Sequence, residues 1–88
     1  MRRKELIAFE ALLMGLVVEM GNDRYRFDEN HELCCGCLDM LNNNEQVWFK
    51  MDCSFRYFIE TCQTRMTDEQ YWGLVGDIGL NKADTKNL

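Results

Sequence analysis

The chain's one histidine and three of its cysteines crowd into HELCCGCLDM, residues 31–40. The spacing His31-x2-Cys34-x2-Cys37 is that of a metal chelate. Cys53 or Cys62, folding back, would complete a tetrahedral set of three thiolates and an imidazole suited to zinc. On an extended strand, however, neighbouring side chains point to opposite faces, so Cys34 and Cys35 cannot converge on one ion. Cysteine is also a small hydrophobe that packs well in a core. Packing is therefore the expected role, with a zinc-stabilised interaction module on His31, Cys34, Cys37 and Cys53 as an alternative. No cofactor is expected. The C-x-x-C of Cys34 and Cys37 lacks a following helix start to lower a thiol pKa, which argues against redox chemistry. Nothing in the sequence supports a Cys53–Cys62 disulfide.

Other catalytic chemistry has little to draw on. Ser54 is the only serine, and the glycines form no phosphate-cradling loop. The expectation is a protein that is not an enzyme. Two surface constellations remain. Asp28, Glu29, Glu32, Asp39, Glu45 and Asp52 stand in or beside expected strands and turns. Carboxylates at successive strand ends approximate the spacing of nucleic-acid phosphates, so such a surface would occupy a basic groove that normally holds DNA or RNA. The plainer reading is a solvated face. Arg24, Tyr25, Arg26, Trp48, Lys50 and Arg56 combine cations with rings, as a nucleotide pocket does, with charge for phosphate and stacking for a base.

The bulk numbers narrow the partners. The 88 residues carry a net charge of −5. Residues 28–62 hold seven acidic and two basic side chains, so the acidity is concentrated in the middle. Duplex nucleic acid needs a basic face, and direct binding to it is not expected. A partner with a basic surface fits better. Five cysteines are an odd set for a secreted disulfide framework. Glu5, Glu10 and Glu19 interrupt the apolar N-terminal stretch, so neither a signal peptide nor a membrane span is read there. The expected location is the cytoplasm, with reduced thiols.

The elements that must position these groups follow from periodicity. Leu6, Phe9, Leu13 and Leu16 fall on one helical face over residues 3–14, and Gly15 ends that helix. LVVEM and RYRFDE, joined by Gly21-Asn22-Asp23, read as a hairpin. Asn30 and His31 make a second turn. ELCCGCL is a third strand with Leu33, Cys35 and Cys37 on one side, and Gly36 marks a bulge. VWFKM is a fourth strand beyond an Asn-rich loop. Asp52 or Ser54 caps a helix whose Phe55, Phe58, Ile59 and Cys62 share a face. Thr67-Asp68-Glu69-Gln70 is a capping box that opens a further helix with Tyr71, Trp72, Leu74, Val75 and Ile78, and Met66 and Tyr71 form its staple. The fold class is α+β: an N-terminal helix, a small antiparallel sheet of three or four strands, and two C-terminal helices, within one domain over residues 1–80. Residues 81–88 read as a polar, flexible tail. An exposed sheet edge would favour a homo-oligomer or a partner strand.

FEALLMGLVVEM followed by YRFDENHEL resembles the opening of many small phage accessory proteins, in which a short amphipathic helix ends at glycine and leads into a twisted hairpin with an acidic turn. The chain is most similar among these to the Thoeris anti-defence 2-like proteins over about residues 5–33, and in size, acidity and single-domain form it resembles anti-CRISPR proteins. It departs from the former in SFRYFIETCQTRMTDEQYWGLVGDIGL, two helices where that family's sheet would close. The resemblance implies a phage protein in a bacterial host cell, a non-enzymatic inhibitor of an antiviral defence system that acts by stoichiometric binding. Occlusion of a nucleic-acid-binding effector by the acidic surface is the favoured mechanism. An oligomeric sponge for a nucleotide signalling molecule is the alternative.

Overall fold

A computed structural model describes residues 2–39 and 45–86. In order, the elements are α1 (Lys4–Leu13), β1 (Val18–Met20), β2 (Asp23–Phe27), β3 (Leu33–Asp39), β4 (Glu45–Lys50), α2 (Phe55–Arg65) and α3 (Asp68–Lys86). The strands form one antiparallel sheet in the order β1-β2-β3-β4. The α+β architecture expected from periodicity is the one observed. The helices pack on one another and chiefly on β1 and β2.

Local chemistry sets the boundaries. α1 ends in a Schellman motif: the Leu16 N–H donates to the Ala11 carbonyl at 3.0 Å and the Gly15 N–H to the Leu12 carbonyl at 3.1 Å. Gly15 sits at φ +81°, where a Cβ is strained. The Ser54 hydroxyl, not Asp52, caps α2 by accepting from the Tyr57 N–H at 3.1 Å. The capping box of α3 is reciprocal. Thr67 Oγ1 accepts from the Gln70 N–H, and Gln70 Oε1 accepts from the Thr67 N–H, both at 3.1 Å. Gln70 also grips the β1–β2 turn, accepting from the Gly21 N–H and donating to the Gly21 carbonyl, both at 2.9 Å. Arg65 reinforces that clamp through Asp23 at 2.7 Å. α3 continues through its glycines to Lys86, into the stretch that composition marks as a tail.

The core joins Ile7, Ala8, Ala11 and Leu12 of α1 to Val18, Met20 and Tyr25 of the sheet, Phe58 and Cys62 of α2, Met66, and Tyr71, Leu74 and Ile78 of α3. This corrects the expected α1 face. Leu6 and Leu13 are more than half exposed and Phe9 is also exposed. α1 carries two apolar stripes, and the stripe containing Ala8 and Ala11 wins because small side chains let α2 and α3 approach its backbone. Glu5, a charged residue within the apolar N-terminal stretch, is buried and accepts from Gln63 Nε2 at 3.4 Å. Phe55 is corrected too: it lies exposed at the start of α2, while Phe58 and Cys62 are buried. Gly36 marks no bulge. Its neighbours pair one to one with β2 on one side and β4 on the other.

Candidate functional site

The registers place Tyr25, Cys35 and Phe49 in one row and Phe27 and Leu33 in the next, all on the face that meets the helices. Toward the β2–β3 turn this face opens into a groove of about 430 Å³ between α1, the sheet and the start of α2. Its floor and walls are Phe9, Phe27, Leu33, Met51, Phe55 and Phe58. Phe9 and Phe27 meet edge to face with centroids 6.0 Å apart, and Phe27 makes a similar contact with His31 at 6.2 Å. His31, Glu32, Lys50, Asp52, Cys53 and Ser54 complete the lining.

The turn that carries the rim is built by Asp28. Its Oδ1 accepts from the N–H groups of Asn30 at 2.8 Å and Glu32 at 3.0 Å. The Glu32 and Asn30 N–H groups hold this carboxyl below its ordinary range. His31 adopts φ +60° to close the turn, as the short polar run Asn30-His31 foreshadowed. Glu32 pairs with Lys50, which holds the ammonium above its ordinary pKa.

Of the six carboxylates singled out in the sequence, Glu32 and Asp52 line the groove, and Asp28 and Glu29 lie in the adjoining turn. Asp39 and Glu45 pair with each other in the register at the far end of the β3–β4 hairpin, and their side chains lie outside the described residues. The acidic residues thus form a cluster at one end of the hairpin and a pair at the other, separated by the length of β3.

The opposite face of the sheet holds four of the six basic and aromatic residues. Arg24, Arg26, Trp48 and Lys50 share the strand parity of that face, with Arg24 opposite Gly36 and Gly36 opposite Trp48, and Lys50 at its edge also borders the groove. Gly36 leaves room for the indole to reach across β3, and the Arg26 guanidinium carbon sits 4.2 Å from the ring centroid. Arg24 is 3.4 Å from Glu19. Beyond this row, α3 and the sheet enclose a cleft of about 820 Å³ lined by Arg24 and Trp48 with Glu19, Glu69, Gln70 and Asp77 among others. Tyr25 and Arg56 do not join the set. Tyr25 is buried on the other face, where desolvation raises its pKa, and Arg56 projects into solvent from α2 near Glu60.

The thiols are dispersed. Cys34 is covered on the outer face, Cys35 is half-buried on the inner face, Cys53 borders the groove and Cys62 is in the core. Cys34, Cys35, Cys53 and Cys62 form no disulfide with one another. Burial pushes the Cys62 thiol up to about 12, with Glu5 adding to the shift, and burial also raises Cys53. Among the described residues no three His, Cys, Asp or Glu side chains come together to hold a metal ion. The Cys37 side chain of the proposed chelate lies outside them. Among the described residues no helix is long and apolar enough to cross a membrane.

Sequence periodicity missed the groove itself. Its signal is present in Phe9, Phe27 and Phe55, each on a separate element: α1 and β2 bring Phe9 to Phe27, and the turn from β4 into α2 adds Phe55. No protein-family model, curated protein or solved structure matches the chain.

Proposed function

We propose that this protein is a non-enzymatic, stoichiometric binding protein that blocks a nucleic-acid-binding effector of a bacterial antiviral defence system. The observation that carries the reading is the apolar groove of Phe9, Phe27, Phe55 and Phe58 with Asp52 and the ion-paired Glu32 and Lys50 in its lining and Asp28 and Glu29 beside it. Apolar walls supply the contact area, and carboxylates choose a partner whose apolar side chains are flanked by lysine or arginine. Nucleic-acid-binding grooves have that chemistry. The defence setting comes from the resemblance of the helix–glycine–hairpin opening and from size and acidity.

The test is release of labelled guide RNA or DNA from purified effector nucleases of defence systems. The protein should displace the nucleic acid at a fixed molar ratio, and the double charge reversal Glu32→Lys/Asp52→Lys should abolish displacement while leaving the fold intact. Retention of nucleic acid by every effector tried would reject the reading.

A second reading, sequestration of a nucleotide, is favoured by one observation: Arg24, Arg26, Trp48 and Lys50 share a sheet face, with Arg26 stacked on the indole. A bound nucleotide would raise the melting temperature in a panel of cyclic and ADP-ribose-derived nucleotides. No shift with any of them removes this reading.

A further inference from the structure

The two edges of the sheet differ. β1 is three residues long and α1, α2 and α3 all pack against it. β4 is six residues long and ends the sheet. Its hydrogen-bonding phase follows from one contact: the Met51 N–H donates to the Leu33 carbonyl at 2.8 Å. Antiparallel pairs alternate between bonded and non-bonded, so Phe49 and Val47 turn their backbone groups toward Cys35 and Cys37 of β3. Gln46, Trp48 and Lys50 then turn their N–H and C=O groups outward from the terminal strand.

Such an edge has few of the usual protections. The chain has no proline, and β4 pairs with β3 without a bulge. Val47, Phe49 and Met51 share a face and are all apolar, Glu45 being the one charged residue of that parity in the strand, and Phe49 is 57% exposed. Lys50 is an edge cation, but Glu32 neutralises it.

We propose that β4 is a homodimerisation edge, adding antiparallel to β4 of a second copy about a two-fold axis at Trp48, so that two four-stranded sheets become one. The sequence around Trp48 selects a second copy over a foreign strand. With Trp48 opposite its own equivalent, the outward groups of Gln46 meet those of Lys50 of the second copy, and those of Lys50 meet Gln46. Every outward-facing backbone group of the strand is then matched. On the helix-side face Val47 meets Phe49 of the second copy and Phe49 meets its Val47, so each exposed ring gains one apolar neighbour. No like charges oppose one another. A shift by one residue would place helix-side residues against outer-face residues, which the alternation of side chains forbids. On the outer face the axis sets the two Trp48 residues opposite each other, each indole lying toward its own Arg26.

The test combines solution mass with amide exchange on the full chain. At micromolar concentration the wild type should sediment at twice 10.4 kDa. The amides of Gln46, Trp48 and Lys50 should be protected from exchange at high concentration and lose that protection on dilution. In a Trp72→Phe background, the emission of Trp48 should change over the same dilution range. Gln46→Pro deletes an outward donor that β3 does not use, and Phe49→Lys sets a cation in the covered position. Both should give folded monomers by circular dichroism and sedimentation. A wild type that stays monomeric across the range would overturn the proposal. So would a dimer whose residue 46, 48 and 50 amides exchange freely, or one that persists in a folded Phe49→Lys variant. Dimerisation abolished by Leu13→Lys while those amides exchange freely would place the contact on the open stripe of α1 instead, and would also overturn it.

Discussion

Cys62 shows how a single position ties packing to pH. Its side chain has no exposed surface, and burial lifts its thiol from 9.0 to about 12. In the unfolded chain the thiol ionises near 9.0, whereas the folded chain keeps the proton through that window. The stabilisation is complete below pH 9.0 and drains away as the pH climbs toward 12. Tyr25, whose phenol is also raised by desolvation from 10.0, acts in the same direction. Urea unfolding from pH 7 to pH 11 should therefore show a steep alkaline loss, made shallower by Cys62→Ala. At the acidic end Asp28 carries the opposite sign. Its carboxyl is depressed below 3.8 by the Glu32 and Asn30 amides, so its contribution holds above that pH and is lost on acidification. Asp28→Ala should remove the turn's acceptor and loosen the rim of the groove.

At the scale of elements, the informative comparison is Leu12 against Leu13. Both are leucines on α1, one 1% exposed and the other 54%. Leu12→Ala should cost about 3 kcal/mol and Leu13→Ala less than about 0.5 kcal/mol in denaturant unfolding. The periodicity of Leu6, Phe9, Leu13 and Leu16 points the other way, because hydropathy alone cannot distinguish a packed stripe from an open one. Ala8 and Ala11 supply the missing cue: their small side chains permit close helix approach. Caps were far more legible. Thr67 and Gln70, Ser54, and Gly15 each occupy the terminus their chemistry demands, since these bonds lie within a few residues of sequence. What the sequence hid was the second use of Gln70, its grip on Gly21 from 49 positions away. Gln70→Ala severs the cap and the clamp together and should cost about 2 kcal/mol. A loss no larger than that of Thr67→Ala would show that the clamp contributes nothing.

For the whole molecule, strand order and helix order were readable from alternation and turns, because a meander needs only local connections. The site was readable in halves. Four basic and aromatic residues shared the strand parity that puts them on one face, and the structure joins them around Gly36. The six carboxylates had no such common parity, and the β3–β4 hairpin parts them. The groove required the crossing from β4 to α2, a tertiary fact with no local signature.

The proposed occlusion rests on the groove and its carboxylates acting together, and ionic strength separates their parts. Exposed charges are screened over about 8–10 Å at physiological salt, whereas apolar contact is not weakened by it. The decisive measurement is the affinity of the protein for any effector found to lose nucleic acid in the displacement test, read from low to high salt for the wild type and for Phe55→Ser. The account predicts a steep decline with salt in both proteins and a weaker affinity for Phe55→Ser at every salt concentration. An affinity that holds constant across the salt range, or one indifferent to the loss of Phe55, would contradict it.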